Sequence, residues 1–185
     1  MRLDHIAYRV ADRYKTAEFF KNAFDYTVSD EFQVEFDDGT TADCVALEPP
    51  LRHPVQEMWN VEWVNLHPDT NEEIKTESHA PPEIFVSDGP PGSIVGDWVA
   101  NRGNVGGVHH MAHECDDVEV KMAEWKEAGY AEFLSEEPMT CPGLIQVFTK
   151  PSELTGIIYE LINRTGKGFC KDNVKDLMNS TSDLS

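Results

Sequence analysis

The chain has 185 residues, of which 40 % are hydrophobic and 26 % charged, enough for one domain or two small packed halves around a hydrophobic core. It carries 34 acidic and 15 basic residues, a formal charge of −19 at pH 7, whose main expected effect is solubility. A field of this sign repels phosphate backbones and anionic lipid, which argues against nucleic acid and membrane surfaces as partners.

The sequence predicts a cytoplasmic protein. Its first residues lack the apolar run of a signal peptide, and no segment approaches the roughly 18 consecutive apolar residues of a membrane span. The cysteines show no CxxC spacing, and without a secretion signal they are predicted to be reduced thiols. They are Cys44, Cys115, Cys141 and Cys170.

The first half of the chain follows the order β-α-β-β-β. A strand is predicted over residues 3–10, where apolar and β-prone residues run between acidic turn residues. A helix follows, because apolar residues recur at helical spacing from Tyr14 to Phe24. Three more strands are predicted, over residues 27–36, 41–47 and 83–87, and the Asp37-Asp38-Gly39 turn joins the first two.

Residues 49–82 interrupt this half and have no counterpart later in the chain. The segment is rich in Pro, Asn and acidic residues, and so long an insertion is usually a lid, an interface or a mobile loop. Its apolar residues predict that the segment packs against another surface, and they offer an interface for a homodimer. They are Met58, Trp59, Val61, Trp63, Val64 and Leu66.

The second half repeats the first at a constant offset of 105 residues (110 − 5). His5-Ile6-Ala7 matches His110-Met111-Ala112, Asp12 matches Asp117, and Lys21 matches Lys126. The same order of elements is predicted again: a strand, a helix that stops at Gly129, and three strands. These strands cover residues 107–115, 131–135, 144–149 and 156–163.

The repeat divides the chain into two β-α-β-β-β modules and two connecting pieces. A short helix over residues 93–101, with Ser93 as its N-cap, links the modules, and a last short helix is predicted over residues 172–178. The predicted divisions are a first module at 1–92 with its insertion at 49–82, the connection at 93–106, a second module at 107–165 and a tail at 166–185.

Four residues are candidate metal ligands. Side chains alternate across a strand, so the repeat places His5 and His110 in equivalent, inward-facing positions. Glu160 is the one carboxylate in the apolar last strand, and Glu83 begins the fourth strand of the first half, at what we interpret as a roughly equivalent place. A carboxylate in an apolar strand is costly unless it is paired or binds a cation, and two imidazoles with two carboxylates suit a divalent ion.

Other interpretations of the same residues stay open. His5 taken alone is typical of a satisfied core histidine, and Glu160 taken alone could be a surface residue at a strand end. Glu83 follows Pro81-Pro82 and could be an exposed strand start. His109 is a rival to His110, which is favoured because it aligns with His5; His109 would then face the helices.

At these residues the chain resembles the vicinal oxygen chelate superfamily, which includes glyoxalase I, methylmalonyl-CoA epimerase and the extradiol and 4-hydroxyphenylpyruvate dioxygenases. The matching segments are LDHIAYRV, GGVHHMAHECDDVE and IYELI. The QVFTKP segment, the ELINR segment and Gly168-Phe169 resemble the end of 4-hydroxyphenylpyruvate dioxygenase, whose tail helix covers the active site. The resemblance implies an α+β fold in which the paired modules form a metal-binding cup of curved mixed sheet.

The resemblance implies an enzyme with one divalent ion, Fe, Mn, Co, Ni or Zn, held by His5, Glu83, His110 and Glu160. The favoured function is a lyase or isomerase acting on a small substrate with vicinal oxygens through a metal-stabilised enolate, with Glu160 or Glu83 as the base. Glu31 and Glu35 are less favoured bases. The alternatives are a non-haem Fe(II) dioxygenase, in which Glu83 does not bind the metal, and a resistance-type protein that binds a small molecule without catalysis.

Overall fold

The computed structural model describes residues 1–50, 60–66, 69–71, 73–79, 81–165 and 169–182. In chain order its elements are β1 (Arg2–Arg9), α1 (Arg13–Phe24), β2 (Thr27–Glu35), β3 (Thr41–Glu48), β4 (Asn60–Leu66), β5 (Glu73–His79), β6 (Glu83–Asp88), α2 (Ile94–Asn101), β7 (Gly107–Glu114), α3 (Val118–Ala128), β8 (Met139–Cys141), β9 (Leu144–Phe148), β10 (Ile158–Arg164) and α4 (Lys171–Ser180). No helix of these residues is long and apolar enough to cross a membrane.

The two modules meet at the centre of one eight-stranded sheet, whose order is β2-β3-β6-β1-β7-β10-β9-β8. The central pair, β1 and β7, is antiparallel. Each is flanked on its outer side by a parallel strand of its own module, β6 beside β1 and β10 beside β7. The sheet curls into a half-barrel, so the predicted α+β cup of mixed sheet is confirmed.

The repeated identities at the helix starts have a local cause. Asp12 and Asp117 are N-caps in extended conformation, and each side chain accepts a backbone hydrogen bond three residues on, from Lys15 and Val120. An aspartate at this position satisfies a donor that the first turn of a helix leaves free. Ser93 caps α2 in the same way through Gly96, as the sequence predicts.

The second module differs from the prediction in its second strand. Residues 131–135 do not form a strand; Phe133 makes an isolated bridge to Thr149, and the strand begins only at Met139. The Glu136-Glu137-Pro138 segment explains the delay, because these residues favour a loop. Pro142 and Gly143 then form a two-residue turn into β9, and Gly143 adopts the positive φ of 77° that this turn requires.

In the described part of the insertion at 49–82, β4 and β5 form a hairpin, which is a separate two-stranded antiparallel sheet. Met58 and Trp59 lie outside the described residues, as do the side chains of Val61, Trp63 and Val64. Leu66, at the end of β4, is 60 % exposed.

The C-terminal helix α4 packs its apolar face against the sheet through Val174, Leu177 and Met178, which are all buried. A disulfide between Cys141, at the end of β8, and Cys170, the residue before α4, ties the start of this helix to the sheet. The prediction of four reduced thiols is therefore wrong for this pair, since spacing along the chain does not show that the tail returns to β8. Cys44 and Cys115 are free and buried.

We expect Cys141→Ser to lower the free energy of unfolding by about 3 kcal/mol, because the bond closes a loop of 29 residues in the unfolded chain. Denaturant unfolding of the oxidised protein and the variant measures this difference. Reduced wild type is the control and should match the variant. Titration of thiols in the denatured, unreduced protein should find two of the four; finding all four would contradict the disulfide.

Candidate metal centre

His5 and His110 lie on the two central strands, and their register brings the imidazoles together. His5 pairs across the sheet with Ala112, and His110 with Ala7. A small residue therefore stands opposite each ring, which leaves room for both on one face of the sheet. His5 Nε2 lies 3.4 Å from His110 Nε2, and both residues are buried.

Glu160 completes a group of three from the neighbouring strand β10, and its side chain enters the same space. Glu160 Oε2 lies 3.3 Å from His5 Nε2 and 3.4 Å from His110 Nε2. Ligand atoms at about 2.1 Å from a shared ion, at angles near tetrahedral, lie about 3.4 Å from one another. The three atoms are therefore spaced as ligands of one ion are spaced.

The chemistry of the group also fits a cation. Glu160 is 1 % exposed, and its Oε1 is buried with no hydrogen-bond partner among the described residues. A buried carboxylate oxygen without a partner is costly. Two imidazole nitrogens and one carboxylate are a ligand set that divalent transition metals prefer. His5, His110 and Glu160 are thus able to hold a metal ion.

The electrostatics of the three residues are coupled. Burial alone would lower the pKa of His5, but the charge of Glu160 and the hydrogen bond to Asp4 outweigh it and raise the pKa to about 9. Burial, followed by the charges of His5 and Arg9, lowers the pKa of His110 well below its ordinary value. Burial raises the pKa of Glu160. A proton on His5 therefore offsets the carboxylate when no cation does, and metal binding must displace that proton.

Asp4, which is buried, and Arg164, which is partly buried, support the position of His5. Asp4 Oδ1 accepts a hydrogen bond from His5 Nδ1 at 2.8 Å, which directs Nε2 towards the other two ligands. Arg164 donates to Asp4 from Nε at 3.1 Å and lies 3.1 Å from it through Nη2. Burial would raise the pKa of Asp4, but His5 and Arg164 hold it below its usual range, so this carboxylate is charged.

Glu83 does not join the group of three. Its Oε2 lies 2.9 Å from Arg164 Nη2, so its charge is compensated by that guanidinium. Glu83 pairs in register with His5, whereas Glu160 pairs with Ala112, the repeat counterpart of Ala7. The rough equivalence expected of Glu83 and Glu160 is therefore off by two residues: the residue beside Ala7 on β6, and so the exact counterpart of Glu160, is Phe85.

His109 contacts His110 at Nδ1, the ring nitrogen that does not face His5 and Glu160. Its Nδ1 lies 2.9 Å from His110 Nδ1, and its ring packs edge-on against Trp98 of α2, with centroids 6.0 Å apart. Burial, then the charge of Arg9, lowers the pKa of His109 well below its ordinary value. The ring is therefore neutral and can orient His110 as Asp4 orients His5, although by a weaker, uncharged hydrogen bond.

The three residues open onto a small cavity of about 30 Å³, which is room for a few water molecules. Its walls are mainly aromatic and aliphatic, and α4 closes it. The lining residues include Phe85, Phe148, Phe169, Val174, Leu177 and Met178, with Arg9 and Gln146 as polar additions. The sequence pointed to the tail helix as a cover but not to Arg9, although Arg9 shares the face of β1 that carries His5. Glu31, a less favoured base, is an exposed residue of β2 bonded to Tyr14.

Comparison with known proteins places this site in a family. Residues 4–143, more than half of the chain, match the model of the Glyoxalase/Bleomycin resistance protein/Dioxygenase superfamily. The chain belongs to this superfamily. No curated protein matches it by sequence, so the remaining likeness is to solved structures.

Two kinds of solved structure show the same fold. A methylmalonyl-CoA epimerase has a TM-score of 0.61 at 20 % identity, covering 90 % of this chain and 97 % of its own; the epimerase of Mycobacterium tuberculosis has 0.58 at 16 %, covering 89 % of each chain. A variant of 4-hydroxymandelate synthase from Streptomyces coelicolor has 0.70 at 18 %, covering 99 % of this chain but 54 % of that one. At these identities the likeness is one of fold.

We expect Asp4→Asn to weaken the binding of a divalent ion by about 10- to 100-fold, because the amide removes the charge that holds the His5 ring and tautomer. Competition against a chelator with Zn²⁺ or Co²⁺ measures the change. Glu114→Gln is the control, since it removes a carboxylate from the same sheet, one that pairs with Arg2 instead of His5. Equal affinities of the Asp4 variant and wild type would contradict the positioning role.

Proposed function

We propose that the protein is a divalent-metal-dependent enzyme of this superfamily, with one ion held by His5, His110 and Glu160. The observation that carries the proposal is the buried group itself: three ligand atoms lie 3.3–3.4 Å apart, and one carboxylate oxygen lacks a partner among the described residues. The substrate is a small molecule with two neighbouring oxygens. An ion here would polarise such a substrate as a Lewis acid, and an iron ion would also support oxygen chemistry.

The surrounding residues prepare this site for chemistry. Asp4 fixes the orientation of His5, and His109 that of His110. Phe148 packs edge-on against His110, with centroids 5.4 Å apart, and Phe169 against His5, at 5.0 Å. These rings exclude water from the two ligands, and a water-poor site strengthens the electrostatic interactions within it.

Among reaction classes, the geometry favours a non-haem Fe(II) dioxygenase, the alternative of the sequence analysis. Two histidines and one carboxylate with open positions are the ligand set of that class. A fourth protein ligand would be expected at Phe85, the counterpart of Glu160, and a phenyl ring cannot bind the ion. The Glu83 carboxylate forms an ion pair with Arg164 and does not supply this ligand. The fold likeness to 4-hydroxymandelate synthase accompanies this candidate.

Proton transfer, as in a lyase or isomerase, is the second candidate, and one observation favours it. Burial raises the pKa of Glu160, and its free Oε1 belongs to the one carboxylate among the described residues that line the cavity. A carboxylate of this kind is suited to take up and return a proton at Oε1. The fold likeness to methylmalonyl-CoA epimerases accompanies this candidate.

The ligand set can be tested with matched glutamate variants. We expect Glu160→Gln to weaken Zn²⁺ or Co²⁺ binding by more than about 100-fold, and Glu83→Gln by no more than about tenfold, because Glu83 acts through Arg164. Chelator competition measures both affinities. Equal, large losses would make Glu83 a fourth ligand, as the sequence analysis predicted. A protein that retains no divalent ion after reconstitution would contradict the proposed function and leave a binding protein.

The reaction class can be tested on protein purified without oxygen and without added metal. We expect near-stoichiometric iron by elemental analysis, and oxygen uptake when 2-oxo acids are added. His5→Ala is the control and should lose both. Manganese, cobalt, nickel or zinc in place of iron, together with solvent deuterium exchange into a candidate acid and no oxygen uptake, would favour the proton-transfer candidate instead.

A further inference from the structure

Arg9 is a buried cation on the wall of the same cavity, and the roles proposed so far do not use it. It lies four residues after His5 on β1, so its side chain is on the same face of the sheet as those of His5 and Ala7. It is 2 % exposed and lines the cavity together with the three candidate ligands. A fully buried arginine without an acidic partner is rare, because burying a charge is costly.

The guanidinium of Arg9 uses only part of its hydrogen-bonding capacity. Nη2 donates to Thr181 Oγ1, just after α4, at 2.9 Å, and Cζ lies 5.9 Å from the centre of the Trp98 ring. Nη1 is buried and has no hydrogen-bond partner, and Arg9 has no ion pair with a carboxylate among the described residues. The protein carries 34 acidic residues, yet the ion pairs of the described region go to other basic side chains, such as Arg13 and Arg164.

Arg9 remains protonated in its buried position. Burial lowers the pKa of Arg9 to about 9, so the guanidinium is protonated at neutral pH. Its charge also acts on His110, whose pKa it helps to lower, so the guanidinium lies within electrostatic reach of the candidate metal ligands. A planar guanidinium with free N–H donors is the side chain best suited to bind a carboxylate in a water-poor site.

We propose that Arg9 is the substrate's anion-binding residue, so that the substrate is a small organic acid with a carboxylate held by Nη1 and a separate pair of oxygens facing His5, His110 and Glu160. This inference rests on the proposed function and names its substrate class. The aromatic and aliphatic side chains that line the cavity suit the hydrocarbon part of such an acid. Because a cavity of about 30 Å³ is too small for such an acid, α4 must shift to admit it, whereas Arg9 is fixed on β1.

The test compares acids that differ only in a distal carboxylate. Zn²⁺-loaded protein is titrated calorimetrically with 2-oxoglutarate and 2-oxoadipate, and with the monoacids of equal chain length, 2-oxopentanoate and 2-oxohexanoate. For at least one chain length we expect the diacid to bind about tenfold more tightly, as one charge-assisted hydrogen bond implies. Arg9→Gln should abolish this preference, because it should weaken diacid binding much more than monoacid binding. Equal affinities of diacid and monoacid in wild type at both lengths would overturn the proposal.

Two control variants separate anion binding from a structural role. Arg102→Gln removes an exposed cation that also stacks on Trp98, with Cζ at 4.5 Å from the ring centre, but does not line the cavity. Thr181→Val removes the bond to Arg9 without changing the guanidinium. Both should keep the diacid preference. If Arg9→Gln weakens both acids equally, or Thr181→Val alone abolishes the preference, Arg9 only positions α4 and the inference is wrong.

Two further measurements distinguish failure of this proposal from misfolding of the Arg9→Gln variant and from failure of the proposed function. Arg9→Lys keeps the charge and should retain part of the preference, so it serves where Arg9→Gln does not fold. Metal-free protein should bind every acid more weakly but still prefer the diacid, because Arg9 does not need the ion. Binding of the monoacids that does not depend on metal would contradict the proposed function, whereas absence of a diacid preference, with or without metal, contradicts the role of Arg9.

Discussion

The burial of the Glu160 carboxylate at the centre of the sheet is the constraint around which the structure is arranged. The side chain is 1 % exposed, and a carboxylate removed from water must be compensated by a proton or a cation. The imidazole of His5, 3.3 Å away, provides one compensation, since Glu160 and Asp4 outweigh the effect of burial and keep a proton on this ring. A divalent ion would provide a stronger one, because it carries two positive charges and binds the carboxylate directly.

The pseudo-symmetry of the sheet brings the candidate metal ligands together. One departure from that symmetry limits their number to three. The β1–β7 pairing is symmetric, with His5 opposite Ala112 and His110 opposite Ala7. The outer strands are not, because β10 presents Glu160 at the position where β6 presents Phe85. A perfect repeat would surround the ion with four ligands. One phenyl ring in place of a carboxylate leaves three, and under the proposed function this leaves open positions for substrate and for oxygen.

The features that the sequence predicted are those that local spacing determines. The strand-helix repeat, the match of Asp12 with Asp117, and the shared face of His5 and His110 follow from periodicity and from an offset of 105 residues. The register between strands far apart in the chain does not follow from spacing, so Glu83 was placed two residues away from its true correspondence. The return of the tail to β8, which pairs Cys141 with Cys170, is equally nonlocal.

Taken together, the charges that line the cavity differ in sign from the net charge of the protein. The formal charge of −19 is spread over a surface in contact with water and salt, where its field is largely screened beyond about 8 Å. Within the buried site, a divalent ion bound as proposed would, together with Arg9, outweigh the single charge of Glu160, and low dielectric would strengthen their effect. Asp4 and Glu83 face Arg164 on the other side of His5. The net charge of −19 is therefore compatible with the proposed anionic substrate, since selection depends on the few charges that line the cavity and not on the many that cover the surface.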